Sequence, residues 1–255
     1  MKKFFTYTLI AILTFIGIVI AFAPAALLWR QVESELVRNM PDLTVANVRG
    51  TLWDGDAELF YRQFPVSLLE WQLAAMPVIT ARQADIQLQL RGEGHNFTAN
   101  VQAGAESLSI DSLVGHVDAM YINRVSQPQG LTFASRVTVE SLDLTSDLRW
   151  IQTATGRITW PGGKIISRTW LDGTRVFDLP ALVGDIEMQG RDILLTLHPN
   201  SRNQSLVNIV LKPDGWLVVR VKARLFDLAG LAWPGGSSLD DTVLQFEEQV
   251  LRGAR

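Results

Sequence analysis

The sequence predicts a mainly β protein: a single N-terminal transmembrane helix, then a long, curved antiparallel β-sheet or meander, and a short helix near the C-terminus. Three observations carry this. Residues 4–29 form an uncharged, predominantly apolar run. Beyond residue 42 the dominant hydrophobic period is two. Gly-containing reversals separate the alternating runs, and no helical stretches of crossover length intervene, so strands are expected to pair antiparallel with their chain neighbours rather than as βαβ units. These signals divide the chain into a tip at 1–3, an anchor at 4–29, a helical extension or linker at 30–42 and an exported β-rich domain at 43–255.

The anchor follows Lys2 and Lys3 and ends before Arg30. Twenty-six residues at ~1.5 Å each make about 39 Å of helix, more than the roughly 30 Å hydrocarbon core requires. A cleaved signal peptide is the competing reading, because Ala23-Pro24-Ala25 offers small residues at a cleavage position. The apolar stretch continues past it through Trp29, longer than a cleavable core, and favours a retained anchor. The lysines before the span place the N-terminus in the cytoplasm and export everything after Arg30. Val32, Leu36, Val37 and Met40 then share a helical face over residues 31–40, and Pro41 ends it.

Period two takes over from there. Ala84, Ile86, Leu88 and Leu90 alternate with polar residues, as do Phe97, Ala99 and Val101 after Gly92-Glu93-Gly94; a pleated strand sends such sets to opposite faces. Leu131 and Phe133, Val137 and Val139, Ile193 to Leu197, and Val207 to Leu211 repeat the pattern. So does 217–225, where Arg220, Lys222 and Arg224 form a polar stripe read as a solvated face or protected edge. Pro213-Asp214-Gly215 supplies a tight reversal between the last two. Asp54-Gly55 is expected to separate strands at 43–53 and 57–61, and Asp172-Gly173 those at 165–171 and 175–179. Ser238 is a candidate cap for a helix over 240–251, with Val243, Phe246 and Val250 on one face. Trp160-Pro161-Gly162-Gly163 recurs as Trp233-Pro234-Gly235-Gly236, but Gly50, Gly115, Gly156 and Gly184 precede strands at irregular spacing, which excludes a regular solenoid.

Composition excludes several function classes. Lys and Arg number 23 against 26 Asp and Glu, a net charge of −3, so there is no basic excess for nucleic acid. No cysteine is present, which removes disulfides, thiolate nucleophiles and cysteine-held metals. His95, His116 and His198 are too dispersed for a local metal pair. Asp54, Asp56 and Glu58 alternate on one strand face but fail as a calcium loop, where Pro65 stands at the twelfth position, and read as a polar hairpin face. Gly162-Gly163-Lys164 is followed by Ile165 where a phosphate loop needs Ser or Thr. Neither a nucleophile elbow nor a zinc-protease helix occurs. The expectation is a non-enzyme with no cofactor, no metal, no nucleic acid and no small-molecule substrate. The eight tryptophans read as packing residues of a sheet with little helix cover.

The run Arg49-Gly50-Thr51-Leu52-Trp53-Asp54-Gly55-Asp56-Ala57, followed by Leu69-Glu70-Trp71 and later Gly156-Arg157-Ile158-Thr159-Trp160, resembles the type II secretion system protein N family. A short cytoplasmic tip, one anchor and a β-rich remainder fit the same pattern. The resemblance implies an accessory, non-enzymatic subunit of the inner membrane, with its domain in the periplasm. It would assist export of folded proteins across the outer membrane by contacts with other subunits of that system, beside inner-membrane lipids. It implies no catalytic residues. Gly50, Leu52, Trp53, Gly55, Trp71 and Trp160 stand as candidate structural or interaction residues, with Trp53 expected to bury a large surface beside the Asp54-Gly55 reversal. The alternative is an envelope protein that handles or bridges lipid through an apolar groove. An open apolar face favours lipid and a filled interior favours a scaffold.

Overall fold

A computed structural model of the chain describes residues 22–39, 42–62, 64–75, 83–127, 130–170, 173–201, 204–231 and 238–249. The predicted anchor lies outside the described residues as far as residue 21. Among the described residues no helix is long and apolar enough to cross a membrane. The chain then runs through helix α1 (Ala25–Asn39) and strands β1 (Leu43–Gly50), β2 (Asp54–Tyr61), β3 (Ser67–Ala74), β4 (Ala84–Gly92), β5 (His95–Ala103) and β6 (Leu108–Val117). After helix α2 (Ala119–Ser126) come β7 (Leu131–Phe133), β8 (Val137–Ser146), β9 (Ile151–Trp160), β10 (Gly163–Trp170) and β11 (Gly173–Leu179). The remainder is β12 (Leu182–Gln189), β13 (Asp192–Pro199), β14 (Val207–Leu211), β15 (Trp216–Lys222), helix α3 (Ala223–Leu228) and β16 (Thr242–Gln249).

Thirteen strands form one antiparallel sheet in near-sequential order, β1 to β6, then β8, β9 and β12 to β16. The period-two pattern keeps one row in register across most of them, with shifts between β1 and β2, β5 and β6, β8 and β9, and β15 and β16. Ala57, Leu69, Leu90, Phe97, Gly115, Val139, Ile158, Gly184, Leu197, Val207, Val221 and Leu244 are each the cross-strand partner of the next, from β2 to β16. This one row is apolar or glycine throughout, and every strand of the sheet except β1 contributes to it. On the other face Asp56, Glu70, Gln89 and Thr98 follow one another across β2 to β5, and Arg157, Asp185, Thr196, Asn208, Arg220 and Gln245 across β9 to β16.

The apolar face is covered only in part. Three strands that leave the main sheet, in the order β11, β10, β7, fold over one end of it. There Trp160, Ile165 and Leu179 are buried against Phe133, Val137, Leu182, Leu225 and Leu228. Phe133 meets the Trp160 ring edge-on at 6.5 Å, and the indole N–H donates to Ser135 O at 3.3 Å. A smaller aromatic cluster closes the same strand ends further along: α2 sets Tyr121 against Phe64 at 5.3 Å and edge-on to His95 at 4.7 Å. Of the long apolar row only Ala57, Gly184 and Val221 are buried; the others are half-buried.

The mainly β class, the long antiparallel sheet and the Pro213-Asp214-Gly215 hairpin agree with expectation, the last closed by Gly215 N–H to Lys212 O at 2.9 Å. Several details differ. The helical extension already starts at Ala25, after Pro24, which has no N–H to donate to a preceding turn. The first reversal occupies Thr51 to Trp53, so Asp54 and Gly55 are already paired in β2, with Gly55 opposite Gly50. The strand expected at 217–225 ends at Lys222, beside a register shift, and α3 turns Ala223 and Phe226 inward. The helix expected over 240–251 is replaced by β16. Leu244 and Phe246 carry a period-two phase within the same residues that show a helical one, and the open edge of β15 selects it by pairing Val221 with Leu244 and Val219 with Phe246. Ser238 caps only a turn, its Oγ accepting from Asp240 N–H at 3.4 Å. The second sheet and α2 were not expected, because alternation says which face a strand buries and not which strand it joins.

Candidate functional site

The segment from Gly50 to Gly55 joins three parts of the domain. Gly50 has φ +87°, a left-handed conformation open to glycine at no steric cost. The Thr51 N–H donates to Asp54 O at 2.8 Å, and Thr51 Oγ1 accepts from Asp54 N–H at 3.2 Å and from Trp53 N–H at 3.3 Å. The hydroxyl therefore replaces backbone partners inside the turn. The turn also reaches outward. Leu52 N–H donates to Ala23 O at 2.9 Å, and Thr51 forms a bridge with Pro24, fixing the chain as it enters α1. Leu73 N–H donates to Trp53 O at 2.7 Å, which ties the turn to the end of β3.

Trp71 explains Gly55. The two residues are cross-strand partners, and the indole lies flat across the glycine: a Cβ there would stand 2.9 Å from Trp71 Cε2 and nearer still to Cζ2 and to Arg49 O. Beside this ring a groove of about 280 Å³ opens on the apolar face, lined by Ala25 and Trp29 of α1, Val45 and Val48 of β1, Leu52, Ala57 and Leu59 of β2, and Leu69 and Trp71 of β3. The opposite face of the same strands is polar: Arg49 pairs with Asp56 at 2.6 Å, Asn47 Nδ2 donates to Glu58 at 2.7 Å, and Arg91 pairs with Glu70. The alternating acids at 54, 56 and 58 thus belong to a solvated hairpin face. Hydrogen bonding to Asp56, and its charge, hold the Arg49 guanidinium above its ordinary pKa.

The structure brings Gly50, Leu52, Trp53, Gly55 and Trp71 together at this turn and places Trp160 apart, in the core beneath the second sheet. Trp53 is half-buried; the ring that packs over the glycine is Trp71. Sequence reading missed Trp29, Val45, Leu59 and Leu69 as lining. The signal was the alternation within β1 to β3, which becomes specific once the reversal is set at residues 51–53 rather than 54–55. Arg220, Lys222 and Arg224 do not form one stripe, because Arg224 sits on α3 and binds Gln204 and Asp240, at 3.0 and 2.9 Å.

Two other titratable groupings lie elsewhere on the sheet. His198 Nε2 is 2.9 Å from Asp185, whose other oxygen accepts from Arg157 Nε at 3.0 Å; hydrogen bonding from His198, then Arg157, lowers the Asp185 pKa. His95 is buried with Nδ1 unpartnered, and burial, then the charge of His116, lowers its pKa. Among the described residues no three His, Asp or Glu side chains converge as a metal would need.

No curated protein and no solved structure matches the chain. The model of the family type II secretion system (T2SS), protein N, matches residues 41–230, a span that begins just before β1, contains the whole Gly50–Gly55 turn with Trp71 and Trp160, and ends just after α3; the chain belongs to that family.

Proposed function

We propose that the chain is a non-enzymatic accessory component of the type II secretion system. In this reading its N-terminal segment anchors it in the inner membrane, and its sheet domain acts in the periplasm through contacts with other subunits. The family match over residues 41–230 carries the proposal. The chemistry of the sheet supports it. β16 is the last strand of the main sheet, and Phe246 on it is 58% exposed; an edge of this kind adds a strand from another chain through main-chain hydrogen bonds. At the other edge a register shift in β1 and the packing of α1 beside it blunt such pairing.

The test compares secretion of the system's folded substrates in cells with and without the chain, and identifies proteins that co-purify with it from detergent-solubilised membranes. A secretion defect with co-purifying subunits is expected. Normal secretion without any co-purifying T2SS subunit refutes the proposal. One observation favours a second reading, lipid handling: the apolar face runs unbroken across the sheet and stays half-exposed over much of its area.

A further inference from the structure

We infer that the groove between α1 and strands β1 to β3 is a binding site for an acyl chain of a membrane lipid. Its lining is hydrocarbon and indole, chiefly Trp29, Val45, Leu52, Leu59, Leu69 and Trp71, around about 280 Å³. A packed helix, with side chains ~10–12 Å across, is a bulkier occupant than a groove of about 280 Å³ suits. An extended peptide brings N–H and C=O groups that such a lining leaves unpaired. An acyl chain brings neither difficulty.

The position of the groove selects a lipid as the source. Ala23 and Pro24, near the end of the uncharged run at 4–29, are fastened to Leu52 and Thr51, beside the groove. Phe22 and Leu27, in the last part of that run, are 71% and 59% exposed, and aromatic side chains such as Trp29 favour a membrane interface. The inference rests on the membrane anchoring proposed above. Given that anchoring, the bilayer surface lies at the mouth of the groove, and a lipid reaches it without crossing water.

The test places a photoreactive amino acid in the full-length chain, in cells, at Leu59 or Leu69 in the groove, or at Glu58 or Glu70 on the polar face of the same strands. Alkali extraction of each variant reports anchoring separately, and circular dichroism reports folding; Val45 carries the probe if either leucine variant fails to fold. Lipid adducts at the groove positions and none at the polar positions are expected. In chain that stays with the membrane, absence of lipid adducts from the groove, or equal adducts on both faces, overturns the inference and leaves the anchoring intact. If the chain extracts as soluble protein, the anchoring falls, and the same variants are irradiated with phosphatidylglycerol vesicles; no groove-specific adduct there overturns the inference as well.

Discussion

Replacing Gly55 by alanine tests whether the Gly50–Gly55 turn is held by close packing of Trp71. The added Cβ would stand 2.9 Å from Trp71 Cε2 and closer to Cζ2 and Arg49 O, whereas carbon atoms rest about 3.5–4.0 Å apart. The indole must therefore move by roughly 1 Å and the β1–β2 ladder must open beside a backbone carbonyl. Overpacking of this kind costs about 1–3 kcal/mol, offset by about 0.4–1 kcal/mol from the restricted unfolded chain. A net loss near 1–2 kcal/mol corresponds to a fall in Tm of about 2–8 °C for a chain of this size. Thermal melting followed by circular dichroism reads this directly. A cycle with Trp71→Leu isolates the indole's share, because a smaller side chain relieves the contact with the ring and leaves that with Arg49 O, so the two losses should then fall short of their sum by about 0.5–3 kcal/mol. Additivity within about 0.5 kcal/mol would refute the packing argument, and an unchanged melt of Gly55→Ala would refute the geometry itself.

Trp160→Ala removes the centre of the core beneath the second sheet and should cost about 3–5 kcal/mol, with hydrogen exchange fastest in β7, β10 and β11; a loss below about 1 kcal/mol contradicts the burial of this ring. His95 has a lowered pKa, so the unfolded chain takes up its proton first, and stability should decline as pH falls below about 6.5, by up to ~1.4 kcal/mol per pH unit. His95→Phe should flatten that part of a urea-melt series, and an unaltered slope would show that the histidine does not titrate on unfolding. Asp185 has a depressed pKa from His198 and Arg157. Its contribution is present above about pH 4 and lost as pH falls through its folded value. Solvent screening keeps this to about 1 kcal/mol or less, and Asp185→Asn should reduce the acid limb without moving the His95 one.

How far the fold was legible follows from what each signal encodes. Alternation at Ala84 to Leu90 fixes which side chains share a face, and short reversals make neighbours antiparallel, so the meander follows from the sequence. At Val207 to Leu211 alternation misleads, because Val210 and its partner Val218, buried at 5% and 0%, lie on the face of Asn208 and Arg220. Partner choice is not encoded locally. Leu131 to Phe133 and residues 163–179 alternate like the others, yet they leave the main sheet because Trp160 and Val137 on its face need cover. Residues 242–249 carry both a helical and an extended phase, and only the free edge of β15 decides between them. At the turn, Asp54-Gly55 is a strong reversal signal in isolation. Thr51 overrides it, because its hydroxyl satisfies the N–H groups of Trp53 and Asp54 and closes the reversal earlier, leaving Gly55 free to lie under Trp71. The six candidates were legible as residues; that five of them meet at one turn and Trp160 does not required the register.

The geometry separates the two kinds of contact proposed for the chain. The groove and the entry of the N-terminal segment lie at β1 to β3, while β16 is the last strand in the sheet order. Strand count does not measure their separation, because the sheet curls back: Glu248 of β16 acts on the charge of Arg62, just after β2. An acyl chain seated beside Trp71 and a strand added at β16 use different groups, side-chain hydrocarbon in the one case and main-chain N–H and C=O in the other. Continuity of the apolar row from Ala57 to Leu244 does not by itself make the sheet a lipid conduit, because the second sheet, α2 and α3 cover one end of its strands, where Trp160 and Tyr121 are buried. A conduit requires lipid contact at β12 to β15 as well as at β1 to β3. A seat at the membrane requires it only at the anchored edge. Photoreactive residues at Leu195 and Ile209, on the apolar face of β13 and β14, distinguish the two: lipid adducts there as strong as at Leu59 would favour transport along the sheet, and adducts confined to the β1 to β3 groove would favour an anchored scaffold that holds one lipid.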